Sequence, residues 1–195
     1  ISAQNLFNEK TDGMSYVVGN SVLDNLIEYK DQCEYTNKVL VTLHRWENHH
    51  WMDEWFKELN EVAKKYSNLE FTIPLHHNPA VRKHKDLLTN VNVVPALPHN
   101  EMIDLMSKCK FIITDSGGLQ EEGTFLNKKI IVCRDLTERP EGLNTGHLTL
   151  CKEPKDLMGL VDTINRDYII KENCPYGDGN TAIKVKEILD GYSNS

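Results

Sequence analysis

Phe111-Ile112-Ile113-Thr114-Asp115-Ser116-Gly117-Gly118-Leu119-Gln120-Glu121-Glu122 is the stretch whose reading decides the fold. Phe111 to Ile113 is apolar and β-branched, the pattern of a buried strand. It breaks at small residues and passes directly into a segment that reads as helix. Such a junction exposes the helix's first unpaired N–H groups, which with the positive end of the helix dipole make a site for phosphate or another anion. Glycines at 117 and 118 let a ligand approach the backbone with no side chain in the way. Glu122 lies one turn beyond Gly118 on the same face, where a carboxylate can accept hydrogen bonds from sugar hydroxyls. Phosphate beside a sugar suggests a nucleotide-sugar. Taken alone, S-G-G fits an ordinary strand-to-helix turn with Ser116 as N-cap equally well.

On either side of this junction, strand-like runs alternate with helical stretches. Lys38 to Leu43, Glu70 to Leu75, Val91 to Val94, Phe111 to Thr114 and Lys129 to Cys133 read as strands, with Leu148 to Leu150 a candidate sixth. Trp51 to Tyr66 carries a helical apolar stripe, and Pro79 to Leu88, Asn100 to Ser107, Gly117 to Leu126, Lys155 to Arg166 and Thr181 to Asp190 are the other predicted helices. This alternation implies an α/β fold, a Rossmann-like doubly wound parallel sheet with helices on both faces. Ligands of such sheets bind beyond the carboxyl ends of the strands, where four polar clusters fall: His44-Arg45, His76 to Asn78, Asp115 to Gly118, and Arg134 to Glu141.

The 195 residues suffice for one domain with its own core, and the net charge of −7 argues against nucleic acid or an anionic membrane as partner. No apolar run has the length of a membrane span, and the first residues do not form a basic stretch followed by an apolar core. Cys33, Cys109, Cys133, Cys151 and Cys174 are widely spaced with no C-x-x-C, so reduced thiols and a cytoplasmic location are expected. Ser2 to Glu9 reads as a helix already under way behind a non-initiator Ile1, so the chain is expected to continue upstream. Gly191 to Ser195 reads as a polar closing tail.

Each cluster has a plain alternative. His44 and Arg45 can donate to a phosphate with Glu47 steadying the arginine, or form a surface turn with a local ion pair. His49 and His50 extend the cluster, but H-x-x-x-x-H-H matches no metal-ligand spacing, and no metal site is expected. Asn78-Pro79 is helix punctuation, leaving one of His76 and His77 for the cleft. Arg134 to Gly142 has the mixed charge of a solvated loop, yet it follows the strand next to the S-G-G junction. Arg139 is the better phosphate candidate there because Pro140 stiffens its backbone.

In order along the chain stand Val18-Gly19-Asn20-Ser21-Val22-x-Asp24, Val41-Thr42-Leu43-His44-Arg45-x-Glu47-Asn48, Pro74-x-His76-x-Asn78-Pro79, Thr114-Asp115-Ser116-Gly117-Gly118-x-Gln120-Glu121-Glu122, Arg134-Asp135-x-Thr137-Glu138-Arg139-Pro140-Glu141 and Pro175-Tyr176-Gly177-Asp178-Gly179. This series closely resembles the carboxyl-terminal half of the non-hydrolysing UDP-N-acetylglucosamine 2-epimerases. The resemblance implies one half of a GT-B-like two-domain enzyme that interconverts UDP-GlcNAc and UDP-ManNAc by eliminating UDP and adding it back. Residues 1–35 would be the segment joining a missing amino-terminal domain, and 36–195 the UDP-binding domain. By position the resemblance gives Ser116, Gly117 and Gly118 the diphosphate, Glu122 the ribose, Arg139 and His44 the phosphates, with His44 the catalytic residue. It adds Met102 to the substrate contacts and makes His76 an allosteric contact to a second UDP-GlcNAc. It implies no cofactor and a homodimer in the full-length enzyme. It assigns proton transfer at carbon 2 to carboxylates of the missing half, so these residues alone are expected to be inactive. Ala96-Leu97-Pro98-His99 departs from the family near uracil. A free-standing UDP-sugar binding module, or an epimerase of a related UDP-diacetamido-uronate, is the alternative.

Overall fold

The computed structural model describes residues 2–9 and 13–193. Its strands are β1 (Lys38–Thr42), β2 (Glu70–Leu75), β3 (Asn92–Pro95), β4 (Phe111–Thr114), β5 (Lys129–Val132) and β6 (Leu148–Leu150). The helices are α1 (Ser2–Asn8), α2 (Ile27–Lys30), α3 (Met52–Lys65), α4 (Pro79–Arg82), α5 (His99–Lys108), α6 (Gly117–Phe125), α7 (Glu141–Asn144), α8 (Leu157–Arg166) and α9 (Thr181–Ser193). All six strands are parallel in the order β3-β2-β1-β4-β5-β6, the Rossmann order.

Side-chain alternation divides the core cleanly. Val39, Val41, Phe111, Ile113 and Ile131 face one side, where α3 and α8 supply Trp55, Phe56, Leu59, Val62, Leu157 and Val161. Leu40, Ile112, Ile130 and Val132 face the other, against Ile103 and Met106 of α5 and Leu119 and Phe125 of α6. Both faces of the sheet are thus covered by helices of this chain. Gly123 lets α6 settle onto the sheet, because a Cβ there would fall 2.6 Å from Ile112 Cδ1 and 2.9 Å from Ile130 Cδ1.

Two helix expectations need correcting. The helix predicted over Pro79 to Leu88 stops at Arg82 and resumes as a 3₁₀ turn over Lys85–Leu87. Its inward stripe has Val81 and Leu88 at the ends but His84 and Lys85 between them, so little burial rewards continuity. The polar tail expected from Gly191 is instead the last turn of α9 as far as Ser193, where the Tyr192 hydroxyl lies 2.7 Å from that of Tyr16. The α1 helix matches the one read at Ser2 to Glu9, while Ile1, Asn194 and Ser195 lie outside the described residues.

The segment from Asn20 packs onto the sheet domain. Leu23 and Leu26 are fully buried in the second core cluster. Asp24 caps α9 from a distance of more than 150 residues, its carboxylate accepting the N–H groups of Thr181 (3.0 Å) and Ala182 (2.8 Å). Gly19 (φ +97°) and Gly177 (φ +140°) press backbone to backbone, a contact that allows no Cβ on either without displacement. No helix of the described residues is long and apolar enough to cross a membrane, and the five cysteines are unpaired.

Candidate functional site

Strand order reverses between β1 and β4, so the loops after these strands diverge and leave a crevice. Asp115, the first residue beyond β4, is fully buried at its floor. Its Oδ2 accepts the backbone N–H groups of His44 and Arg45, both at 2.9 Å, and the Asn48 side-chain amide at 3.0 Å. Asn48 also donates to the Cys133 carbonyl (3.0 Å), joining the β1, β4 and β5 ends through one carboxylate and one amide. Thr42 and Thr114 share a hydroxyl hydrogen bond of 2.6 Å beneath this network. The His44 ring lies above it, stacked on His76 at 4.8 Å between centroids and 12° between planes. Burial, then the neighbouring His44 and His77, push the His76 ring below its ordinary pKa, which favours its neutral form in the stack.

Ser116 holds the N-cap position of α6 with extended backbone, but its hydroxyl makes no capping bond. Gly118 faces open space, as expected of a residue that lets a ligand reach the backbone. Gly117 does not: it is buried under Glu138, whose Oε1 stands 2.6 Å from where a Cβ would be. A carboxylate of the chain itself therefore sits at the mouth of the helix. Glu138 pairs with Arg134 and lies 3.7 Å from Arg45 Nη2, while Arg134 also reaches Glu47 at 2.8 Å. Burial raises the Glu138 pKa, but its own backbone N–H and the guanidinium groups of Arg134, Arg45 and Arg139 outweigh it and hold the carboxyl below its ordinary value.

The three residues after Leu119 each make side-chain contacts that tie α6 to its surroundings. Gln120 accepts the Thr137 hydroxyl and donates to the Ser116 carbonyl (3.2 Å), fixing the Arg134–Glu141 loop against the turn. Glu121 receives both Arg139 and, at 2.6 Å, the Asn20 side chain. Glu122 is buried and meets His99 Nε2 at 3.5 Å; burial raises its pKa against the opposing pull of His99. The Tyr176 hydroxyl closes the ring of contacts, donating to the Arg139 carbonyl (2.9 Å) and accepting from the Gly142 N–H (3.1 Å).

The crevice thus gathers His44, His76, Ser116, Gly117 and Gly118, with Glu122 one turn deeper. Arg139 lies beside them, its guanidinium committed to Glu121 and its Nη1 donating to the Glu138 carbonyl at 3.2 Å. Met102 is half-buried on α5, packed on the core cluster behind the helix whose first residue, His99, meets Glu122. Arg45, Arg134, Glu138 and Asp115 lie at the same strand ends; the sequence offered Arg45 as a phosphate donor and placed the other three in polar clusters without giving them a role. Arg134 is less exposed than Arg139, 14% against 33% of the side chain, and that burial has no trace in a run of mixed charge. No group of three metal-ligating side chains occurs among the described residues.

The sequence profile of a family described as UDP-N-acetylglucosamine 2-epimerase matches residues 1–190. The UDP-N-acetylglucosamine 2-epimerase of Neisseria meningitidis is 34% identical, over 96% of this chain and 58% of that protein. The crystal structure of UDP-GlcNAc 2-epimerase from Neisseria meningitidis bound to UDP-GlcNAc superposes with a TM-score of 0.84 at 32% identity, covering 97% of this chain and 59% of that one. A co-structure of S. aureus MnaA with UDP gives a TM-score of 0.82 at 28% identity, over 99% and 57% of the two chains. The chain spans a little over half the length of the relatives it matches. With the match running through nearly every residue from the first motif to α9, the chain belongs to the UDP-N-acetylglucosamine 2-epimerase family.

Proposed function

We propose that the chain is the UDP-binding half of a UDP-GlcNAc 2-epimerase, which interconverts UDP-GlcNAc and UDP-ManNAc by eliminating UDP and returning it after inversion at carbon 2. The observation that carries this reading is the crevice at the β1–β4 divergence, where an open helix N-terminus at Gly118, an imidazole and a buried carboxylate converge. Ser116, Gly117 and Gly118 hold the diphosphate through the Ser116 hydroxyl and the backbone N–H groups of the two glycines, the Ser116 N–H being taken by Thr114 Oγ1, and Arg139 and His44 supply further donors. Glu122 accepts the ribose hydroxyls. Met102 belongs to the substrate contacts.

The chemistry follows from charge. As the glycosidic C–O bond breaks, negative charge gathers on the diphosphate, and donors already fixed in place stabilise it without reorganising. Proton transfer at carbon 2 falls to carboxylates of an amino-terminal half outside these 195 residues. In the working enzyme that half closes the cleft, two copies form a homodimer in the cytoplasm, and a second UDP-GlcNAc contacts His76. The stack of His76 on His44 gives that second ligand a direct route to the catalytic ring. The relatives support the ligand assignment: one structure is bound to UDP-GlcNAc and another to UDP.

Calorimetric titration of UDP into this chain tests the reading. Weak binding is expected, on the order of millimolar, and Glu122→Ala or Arg139→Ala should weaken it several-fold. Absence of heat at millimolar UDP overturns the assignment of the crevice. Proton NMR of UDP-GlcNAc incubated with the chain alone should show no UDP-ManNAc, and turnover would overturn the placement of the carbon 2 chemistry in another half.

A further inference from the structure

We infer that Asp115 is a positioning residue for His44, fixing its ring as the Nδ1–H tautomer so that Nε2 is the nitrogen that binds and releases a proton at the cleft. The inference rests on the proposed role of His44 and names the group that acts on it.

The two oxygens of the Asp115 carboxylate are used differently. Oδ2 is saturated by the N–H groups of His44 and Arg45 and by the Asn48 amide. Oδ1 is equally buried and has no hydrogen-bond partner, yet it lies 3.6 Å from His44 Nδ1. A buried carboxylate oxygen with free lone pairs next to one ring nitrogen favours a proton on that nitrogen. The gap is slightly longer than a hydrogen bond, a common state of catalytic contacts before the ligand arrives. Because Oδ2 also pins the backbone of His44 and Arg45, one carboxylate fixes both the strand-end loop and the ring it carries.

The other groups around the ring leave this assignment uncontested. His76 covers one face by stacking, and its own Nδ1 is occupied as acceptor of the Asn78 N–H at 3.1 Å. The His49 ring approaches the His44 carbonyl at 3.0 Å, on the backbone side. No described residue hydrogen-bonds either nitrogen of the His44 ring, so Asp115 alone chooses the tautomer, and Nε2 is left for a ligand. In the doubly protonated ring Nδ1–H faces Asp115 and Nε2–H faces the diphosphate. When the Nε2–H bond breaks and its proton passes to a diphosphate oxygen, the bonding pair stays on Nε2. The ring is left as the Nδ1–H tautomer that Asp115 favours, and recapture of the proton reverses the step without any side-chain rearrangement.

The test is the long-range 1H–15N spectrum of His44 in the ligand-free chain, whose core closes on both faces of its own sheet. The expected pattern is Nδ1–H, and an Nε2–H ring overturns the inference. In Asp115→Asn the amide oxygen can still accept the loop N–H groups while its NH₂ faces Nδ1, so His44 should switch to Nε2–H. A folded Asp115→Asn chain that keeps Nδ1–H overturns the inference. Asn48→Ala loosens the same loop without touching the Oδ1 side and should leave the tautomer unchanged; a switch there would show that loop order, not Asp115, sets it. Should Asp115→Asn not fold, the wild-type spectrum decides. The calorimetric UDP titration stands apart: an Nδ1–H ring in a chain that fails to bind UDP sinks the epimerase reading alone, and UDP binding with an Nε2–H ring sinks the positioning role alone.

Discussion

The two edges of the sheet both bury ionisable side chains, and they treat them in opposite ways. At the amino-terminal edge, Lys128 is fully buried with its Nζ donating to the carbonyls of Glu34 and Cys109 (2.9 Å) and lying 4.1 Å from the centre of the Tyr35 ring. Nearby His147, also buried, has a partner on each ring nitrogen, Thr145 Oγ1 at 2.8 Å and Asn127 Oδ1 at 3.3 Å. At the carboxyl edge, Asp115 keeps an oxygen without a hydrogen bond, the Ser116 hydroxyl caps nothing, and Glu122 has only the long contact to His99. Saturated groups hold a fold together, whereas unsaturated ones in a crevice are available to a ligand.

The largest test of that contrast is at Lys128. Burial lowers its pKa, and the chain accepts this cost because the ammonium joins the segment before β1 to the turn before β4. Lys128→Met keeps the stem but removes the donor from the buried Cys109 carbonyl and the part-buried Glu34 carbonyl, at a cost of about 3 kcal/mol. Urea unfolding measures it. A loss under about 1 kcal/mol would mean the amino-terminal edge is not the stabilising one.

His147 gives the next effect, and it depends on pH. Burial, then the nearby Lys129, push its pKa from 6.5 down to about 4. Above the unfolded value the ring is neutral in both states and its contribution is complete. As pH falls from 6.5 towards 4 the unfolded chain takes the proton first, so stability drops, and below about 4 the drop ends. Between pH about 7 and about 5 the expected loss is about 2 kcal/mol. A flat profile over that interval would remove His147 from the saturated set.

The contrast also explains what the sequence showed of this molecule. Strand-helix alternation was plain because β-branched runs such as Phe111 to Ile113 are buried on both faces, and strand ends then located the crevice. Individual burial was not visible. Lys128 stands just before a strand as any solvated lysine can, and only the three-dimensional approach of Glu34 and Cys109 gives it a role. Asp115 reads as one small residue of a turn, since its partners come from the loop that begins at His44, some seventy positions earlier. Arg134 and Arg139 are five residues apart in a run of mixed charge, and their different burial follows from Glu47 and Glu121 on other segments. Spacing along a chain reports a neighbour's face on the same element, not contacts between loops.

At the carboxyl edge the effects on stability reverse sign or vanish. Glu122 is buried without a close cation, and burial raises its pKa. Near neutral pH, Glu122→Gln should therefore leave stability unchanged or raise it by up to about 1 kcal/mol while weakening UDP binding, the trade-off of a site held ready for a ligand. Loss of stability instead would move Glu122 to the structural side of the comparison.

Ser116 carries the smallest and sharpest expectation. An N-cap serine whose hydroxyl accepts a helix N–H is worth about 1 kcal/mol. Here the hydroxyl makes no such bond, and the turn is held instead by the Ser116 N–H on Thr114 Oγ1 (2.9 Å) and by Gln120 on the Ser116 carbonyl. Ser116→Ala should then change thermal unfolding by less than about 0.5 kcal/mol. The same change should lower affinity for UDP, because the free hydroxyl stands beside the open N-terminus of α6 where the diphosphate is proposed to lie. If Ser116→Ala costs a full capping bond and leaves UDP binding intact, the hydroxyl serves the helix after all, and the carboxyl edge loses its most direct claim to be kept unsaturated for a ligand.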